Sequence, residues 1–264
     1  MAFNWKHYAI PVVVGVWVIS RFYNSASLGT DDSVSFGSGK MFDKIAEHYD
    51  IGNWFMSLGQ DQKWRRRMLS EADIKSTDNL LDLATGSADV AIMARMEFNA
   101  LSVVGLDPSV EMLKVGRSKI EKHDKIDLVV GDAQSMPEFA SGRFSKITMS
   151  FGIRNVPDRL KALVEMRRVI AFSPDSRLAI MEFSAPAEGT VMGFIAKMFV
   201  RYFVPIVGGL VTSAIGEYKY LEESIFNFPS PEEFESIIES AGFSIIKRVS
   251  LMAGVVNIYI AKPV

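Results

Sequence analysis

The stretch from Asn79 to Met93, NLLDLATGSADVAIM, constrains the fold more than any other part of the chain. Leu80-Leu81-Asp82-Leu83-Ala84 reads as a short buried strand, Thr85 to Asp89 as a tight turn, and Val90 as the start of a helical pattern. A strand that runs through a glycine turn into a helix leaves free N–H groups at the helix start. The small residues Ala84, Gly86, Ser87 and Ala88 let a ligand approach that backbone closely. An ordinary strand-to-helix connection has the same pattern, so this stretch marks a place for a nucleotide without identifying one.

The following chain repeats the alternation. Leu101 to Leu106 predicts a second strand, closed by Asp107-Pro108-Ser109, and a helix from Ser109 to Glu121 capped by Ser109 or Asp107. A third strand, Ile126 to Val130, ends in Gly131-Asp132-Ala133, and a fourth, Phe144 to Phe151, ends in Gly152-Ile153-Arg154-Asn155. A helix from Pro157 to Ile170 leads to a fifth strand, Arg177 to Phe183. Such alternation predicts an α/β fold, a mostly parallel sheet covered on both faces, with ligands bound at the carboxyl ends of the strands. The polar punctuation falls at those ends. A helix from Pro231 to Ser240 and two strand-like runs, Ser244 to Leu251 and Val255 to Ala261, add an antiparallel hairpin.

Two regions stand outside the alternation. Met1 to Thr30 has no acidic residue and holds the apolar run Tyr8 to Ile19 before Arg21-Phe22-Tyr23. Spanning a bilayer takes about 20 apolar residues, about 17 at least, and this run is shorter. It reads as a membrane anchor or membrane-associated targeting segment, with a secretory signal or a buried strand as alternatives. Asn24 to Gly39 is linker-like, so the expected domains are residues 1–39, a targeting or membrane segment with its linker, and residues 40–264, the functional domain. Within the latter, residues 185–225 carry Met192, Phe194, Ile195, Met198, Phe199, Tyr202 and Phe203 at helical spacing, either as core or as an apolar cover over a lipid-like substrate. Before the central turn, Met41, Ile45 and Tyr49 share one helical face, and Trp64-Arg65-Arg66-Arg67 belongs to a second helix whose arginines read as a solvated face.

Composition excludes several function classes. Hydrophobic residues make up 48%, charged residues 23%, and the net charge is −2, which fits neither a disordered chain nor a nucleic-acid partner. There is no cysteine, and the three histidines, His7, His48 and His123, are scattered, so disulfides, cysteine nucleophiles and a cysteine-type zinc site are excluded and no metal is expected.

A dinucleotide site would want G-x-G-x-x-G, because a pyrophosphate must lie against bare backbone. Here Ala84, Gly86 and Ala88 stand instead, with Asp89 just beyond. An acid beside the turn repels a pyrophosphate but not a sulfonium cation, so S-adenosylmethionine fits better than NAD on charge. Asp107 lies 21 residues after Gly86, where a nucleotide-binding unit places the carboxylate for ribose hydroxyls, although a helix-capping Asp has the same look. Asp132 and the backbone of Ala133 would then meet the adenine edge.

Five blocks, MFDKIAEHYD, LLDLATGSADVAI, VVGLDPSVEMLKVG, FGIRNVPDRLKALVEMRRVI and EYKYLEESIFNFPSPEEFESIIESAGF, resemble the ubiquinone/menaquinone biosynthesis C-methyltransferase family. The resemblance runs from about Lys40 to Pro263, and the Phe-Gly-Ile-Arg-Asn block is its most selective part. It implies a Rossmann-like class I methyltransferase with a mostly parallel seven-stranded sheet, S-adenosylmethionine as cofactor, and methylation of a ring carbon of a prenylated benzoquinol or naphthoquinol. Cofactor contacts are implied at Ala84, Gly86, Ser87, Asp107, Met112, Asp132, Ala133 and Ser150, and catalytic groups at Arg154, Asn155 and Tyr49. Arginine stays protonated, so Arg154 would stabilise a phenolate or hold a water, while Asn155 and Tyr49 orient ring oxygens; a structural ion pair is the other reading of Arg154. Two positions depart from the family pattern. Ala88 stands where glycine is usual, placing a methyl group where cofactor and backbone would meet, and Ser173-Pro174-Asp175-Ser176 replaces a Lys-Pro-Gly-Gly turn. Ala88 keeps open a catalytically silent scaffold subunit of a membrane-bound biosynthetic complex, and a lipid N-methyltransferase is a further alternative. Expected partners are the prenylated quinol, a membrane surface, other quinone-biosynthesis enzymes and a second copy of the chain. The expected location is the matrix face of the mitochondrial inner membrane in a eukaryote, or the cytoplasmic membrane in a bacterium.

Overall fold

The computed structural model describes residues 43, 57, 59–185 and 223–264; the N-terminal apolar run, Tyr49 and the stripe from Met192 to Phe203 lie outside them. The strands are β1 (Asn79–Leu83), β2 (Ser102–Asp107), β3 (Ile126–Val130), β4 (Lys146–Ser150), β5 (Arg177–Phe183), β6 (Phe243–Leu251) and β7 (Val256–Pro263). The described helices of two turns or more are α1 (Asp61–Glu71), α2 (Asp89–Met96), α3 (Val110–Ile120), α4 (Arg159–Val169) and α5 (Pro231–Ser240). All seven strands share one sheet in the order β3-β2-β1-β4-β5-β7-β6. The first five are mutually parallel, and β7 runs antiparallel to both β5 and β6. The alternating pattern and the closing hairpin thus translate directly into topology.

Both faces of the sheet are covered, which is why the inner strands are almost continuously apolar. Leu81 and Leu83, with Val104, Leu106, Ile147, Met149 and Ile180, point to the face closed by Leu163 and Met166 of α4 and Phe234 and Ile238 of α5. Leu80, Val103, Ala179 and Met181 point to the opposite face, against Trp64, Met68 and Leu69 of α1 and Val90, Ala91 and Ala94 of α2. Each fully buried leucine contributes about 1.5–3 kcal/mol, so the two layers fix which end of each strand carries the loops.

The helix starts are set chemically. The Ser109 hydroxyl accepts from Met112 N at 3.1 Å to cap α3, while Asp107 holds the amide of Ser109 itself at 2.8 Å. Asp158 caps α4, and Ser230 with Glu233 forms a reciprocal capping box on α5, which has Pro231 in its first turn. Two expectations need correction. The strand predicted over Phe144 to Phe151 is shorter, because Phe151 turns out of the sheet with φ 58°. The arginine run is not a uniformly solvated face: helical geometry turns Trp64 and Arg65 inward with Met68 and Leu69, leaving Arg66 and Arg67 outside.

Candidate active site

β1 has β2 on one side and β4 on the other, so the strand order reverses here and a crevice opens past the carboxyl ends. The cleft, about 690 Å³ including its open mouth, is lined by Ala84 and Gly86 after β1, Asp107 and Pro108 at β2, and Met112 on α3. Asp132, Ala133 and Gln134 follow from β3, and Ser150, Phe151, Gly152 and Asn155 from β4. Loops of four parallel strands therefore converge on one volume.

The central turn is held in a costly shape. Ala84, Gly86 and Ala88 have φ of 49°, 56° and 69°, and left-handed backbone costs a non-glycine residue about 1–2 kcal/mol. Side chains from three strands brace it. Asp107 accepts from Gly86 N at 2.8 Å, and Asp82 accepts hydroxyl hydrogen bonds from Thr85 at 2.6 Å and Thr148 at 2.7 Å. Burial pushes the Asp82 carboxyl up to about 6, against the opposing pull of the two threonine hydroxyls and of Arg65. Across the cleft, a methyl group on Gly152 would lie 2.5 Å from the Ala84 Cβ, so glycine is required there by close approach.

The expected cofactor residues divide by position. Ala84, Gly86, Asp107, Met112, Asp132, Ala133 and Ser150 all line the cleft. Burial raises the Asp107 carboxyl, opposed by the amides of Ser109 and Gly86. Each of its oxygens accepts one of those amides, and with about four acceptor positions on a carboxylate two remain for hydroxyl donors. The Ser150 hydroxyl is buried in the cleft wall and has no hydrogen-bond partner among the described residues, a state that costs about 1–3 kcal/mol until a ligand supplies one. Asp132 is exposed and accepts from the backbone and side-chain nitrogens of Gln134, whose carbonyl oxygen accepts from Asp158 N at 3.0 Å. Gln134, which the sequence did not single out, thus ties the β3 loop to the start of α4.

Ser87 and Asp89 sit behind the turn rather than in the cleft lining. Lys119 donates to the Ser87 hydroxyl at 2.9 Å and pairs with Asp89 at 2.8 Å, and Arg65 meets Asp89 at 2.6 Å. Burial would raise the Asp89 carboxyl, but Arg65 and Lys119 hold it below the usual carboxylate range. Asp89 is a neutralised brace, so the charge preference read from it passes to Asp107. Ala88 is likewise fully buried among α1 and α2 residues, and a methyl group on Gly116 of α3 would meet its Cβ at 3.3 Å. Its methyl packs into the core and does not line the cleft, which removes the objection read from the sequence.

Past β4, a single 3-10 turn, Ile153–Asn155, presents Asn155 to the cleft. Arg154 is not among the lining residues: its Nη1 pairs with Glu182 of β5 at 2.7 Å and donates to the Phe151 carbonyl at 2.8 Å. The ion pair that the sequence left as the other reading is present. Asp82 and Glu182 were also not singled out, although each is an acid within an otherwise apolar strand, a pattern that calls for a specific buried partner.

Residues 31–262 match the model of the ubiE/COQ5 methyltransferase family. The chain belongs to that family. A ubiquinone/menaquinone biosynthesis C-methyltransferase of Geotalea uraniireducens is 37% identical over 227 residues, covering 84% of this chain and 94% of that one. A demethylmenaquinone methyltransferase of Thermus thermophilus is 38% identical over 221 residues, covering 83% and 98%. Among solved structures, a SAM-dependent methyltransferase from Aquifex aeolicus superposes with a TM-score of 0.56 at 18% identity over 76% of this chain and 89% of that one. The [4+2]-cyclase SpnF does so with 0.63 at 13% identity over 88% and 98%. The cyclase is a reminder that the fold carries more than one chemistry, so for a ubiE/COQ5 family member the assignment rests on family and site together. The chain is an S-adenosylmethionine-dependent methyltransferase of the quinone-biosynthesis type. Its cleft suits that cofactor, since among the described residues Asp107 has unused acceptor capacity for hydroxyls and Ser150 lacks a partner.

Proposed function

We propose that this enzyme methylates a ring carbon of a prenylated benzoquinol of the 2-methoxy-6-polyprenyl-1,4-benzoquinol type, in ubiquinone biosynthesis. The observation that carries this reading is the shared cleft of Asp107, Ser150 and Asn155 in a chain of this family. S-adenosylmethionine supplies a methyl group already activated by positive sulfur, and Asp107, Met112, Ala133 and Ser150 would hold it. The chain's remaining task is to align the ring carbon and exclude water. Asn155 orients one ring oxygen, Arg154 stabilises its anionic form and Tyr49 orients the other. Arginine cannot take the ring proton, so that proton leaves to water or to the ring's own oxygen.

The Thermus relative, a demethylmenaquinone methyltransferase, favours a second acceptor, demethylmenaquinol. Purified protein, methyl-labelled S-adenosylmethionine and each reduced acceptor decide between them. Label on the benzoquinol ring is expected; label on the naphthoquinol alone reassigns the substrate, and absence of donor binding by calorimetry supports a scaffold role. The same reading puts the enzyme at a membrane face, the matrix side of the mitochondrial inner membrane in a eukaryote, through its apolar run Tyr8 to Ile19. Recovery in the soluble fraction under low and high salt alike would overturn that placement.

A further inference from the structure

Glu182 is wholly buried, with no exposure at all, next to the last residue of β5 and beside the loop that carries Asn155. A buried carboxylate is retained only where its oxygens are fully engaged. Here one oxygen accepts from Arg154 Nη1 at 2.7 Å and Phe183 N at 2.8 Å, and the other accepts from Arg154 N at 3.2 Å. The carboxylate therefore grips both ends of Arg154, its backbone and its guanidinium. Nη1 spends its second hydrogen on the Phe151 carbonyl at 2.8 Å, and the guanidinium carbon lies 5.6 Å from the centre of the Phe183 ring, which itself stacks on Phe151 at 4.5 Å.

One edge of the guanidinium is thus immobilised and the other is not. Arg154 Nε is buried and has no acceptor among the described residues. Leaving such a donor unmet costs about 1–3 kcal/mol, more for a charged group, and a preorganised guanidinium loses little freedom for each hydrogen bond it forms. The pair uses Nη1 alone, so the guanidinium is held from one side while the carboxylate keeps its other oxygen for the Arg154 amide. The backbone of Arg154 lies between Gly152 and Asn155, both of which line the cleft.

We propose that Glu182 is a positioning residue for methyl transfer: by anchoring Arg154 through Nη1 and its backbone amide, it holds the turn that presents Asn155 to the cleft and fixes the guanidinium charge behind that turn, next to where an anionic ring oxygen would develop. The inference rests on the quinol reading above and adds to it a residue that touches neither cofactor nor acceptor. Glu182 also sets where Asn155 stands, because the same carboxylate fixes the Arg154 amide in the middle of their shared turn.

The test uses the full chain with S-adenosylmethionine and the quinol that wild type methylates. Glu182→Asp keeps the charge but shortens the reach, so it cannot grip Nη1 and the backbone amide together. The expected result is a kcat loss of about 10–100-fold, with quinol KM within threefold and donor Kd by calorimetry within twofold. The acidic limb of the kcat–pH profile should move up by about one unit, because the ring oxygen must then ionise without its positioned cation. Loss of packing alone would not move that limb. Combining Glu182→Asp with Arg154→Lys should cost no more than Arg154→Lys alone, since the two residues act as a unit. Glu182→Gln, which keeps the shape, repeats the kcat and double-variant measurements if the aspartate variant melts early. Unchanged kcat in a folded variant, or losses that multiply, overturns this inference and leaves the quinol reading standing. A wild-type chain that binds the donor and methylates neither quinol overturns both.

Discussion

Replacing Gly152 with alanine tests whether the cleft is held open by a single close approach. The new methyl group would stand 2.5 Å from the Ala84 Cβ and 3.2 Å from Met149 Cγ. Carbon atoms pack best at about 3.5–4.0 Å, so one wall must retreat by roughly an ångström. Methionine can swing aside; Ala84 cannot easily, because its φ is already 49° and β1 behind it is locked between β2 and β4. Overpacking of this kind costs about 1–3 kcal/mol. In a domain of this size that lowers Tm by roughly 2–12 °C. Ala84→Gly supplies the control. It relieves about 1–2 kcal/mol of left-handed backbone and loses about 0.4–1 kcal/mol through a more disordered unfolded chain, so alone it is close to neutral. In the Ala84→Gly background Gly152→Ala should be almost free, giving a coupling of at least about 1 kcal/mol. Urea unfolding of the four proteins measures this, with equal m-values required for the comparison. If the two changes add to within about 0.5 kcal/mol, the contact does not explain the glycine and the reasoning fails.

Three other outcomes follow from the same geometry. Asp82 ionises near 6 when folded against 3.8 in the open chain, so the folded state retains a proton the unfolded state has lost between those values. Its contribution to stability is full below pH 3.8 and disappears as pH rises through about 6. Asp82→Asn should remove that slope, at most about 3 kcal/mol, from the pH dependence of urea unfolding; an unchanged slope assigns it elsewhere. Asp107→Asn should weaken S-adenosylmethionine at least tenfold by calorimetry, about 1.4 kcal/mol, since one amide oxygen must now serve Gly86, Ser109 and the ligand; a twofold effect would remove Asp107 from the cofactor site. Ala88→Gly should leave donor Kd within twofold, because its methyl faces α3, and a marked tightening would show that this methyl reaches the cleft after all.

What the sequence conveyed well was periodic and local. Strand-turn-helix repeats, Ser109 as a cap, and Asp107 at nucleotide spacing from Gly86 depend on neighbours in the chain, and each stands where the pattern placed it. What it conveyed poorly were partners distant in sequence. Nothing local to Asp89 says that Arg65, 24 residues earlier, and Lys119, 30 residues later, neutralise it. Nothing local to Ala88 says on which side of the turn its methyl lies. Arg154 and Glu182 are 28 residues apart and meet only because β4 and β5 are adjacent. The acids inside apolar strands were visible, but their purpose was a property of the assembled sheet.

The placement of β7 has a consequence for how the protein is made. It lies between β5 and β6 in the sheet yet follows both in the chain. During synthesis each of its neighbours therefore emerges with an open edge toward the gap, and the Leu178-to-Phe183 side of β5 stays unpaired until Val256 to Ala261 arrives. Open apolar edges invite pairing with other chains. The nascent chain thus carries open apolar edges until β7 has been made, and removal of β7 would return the protein to that state.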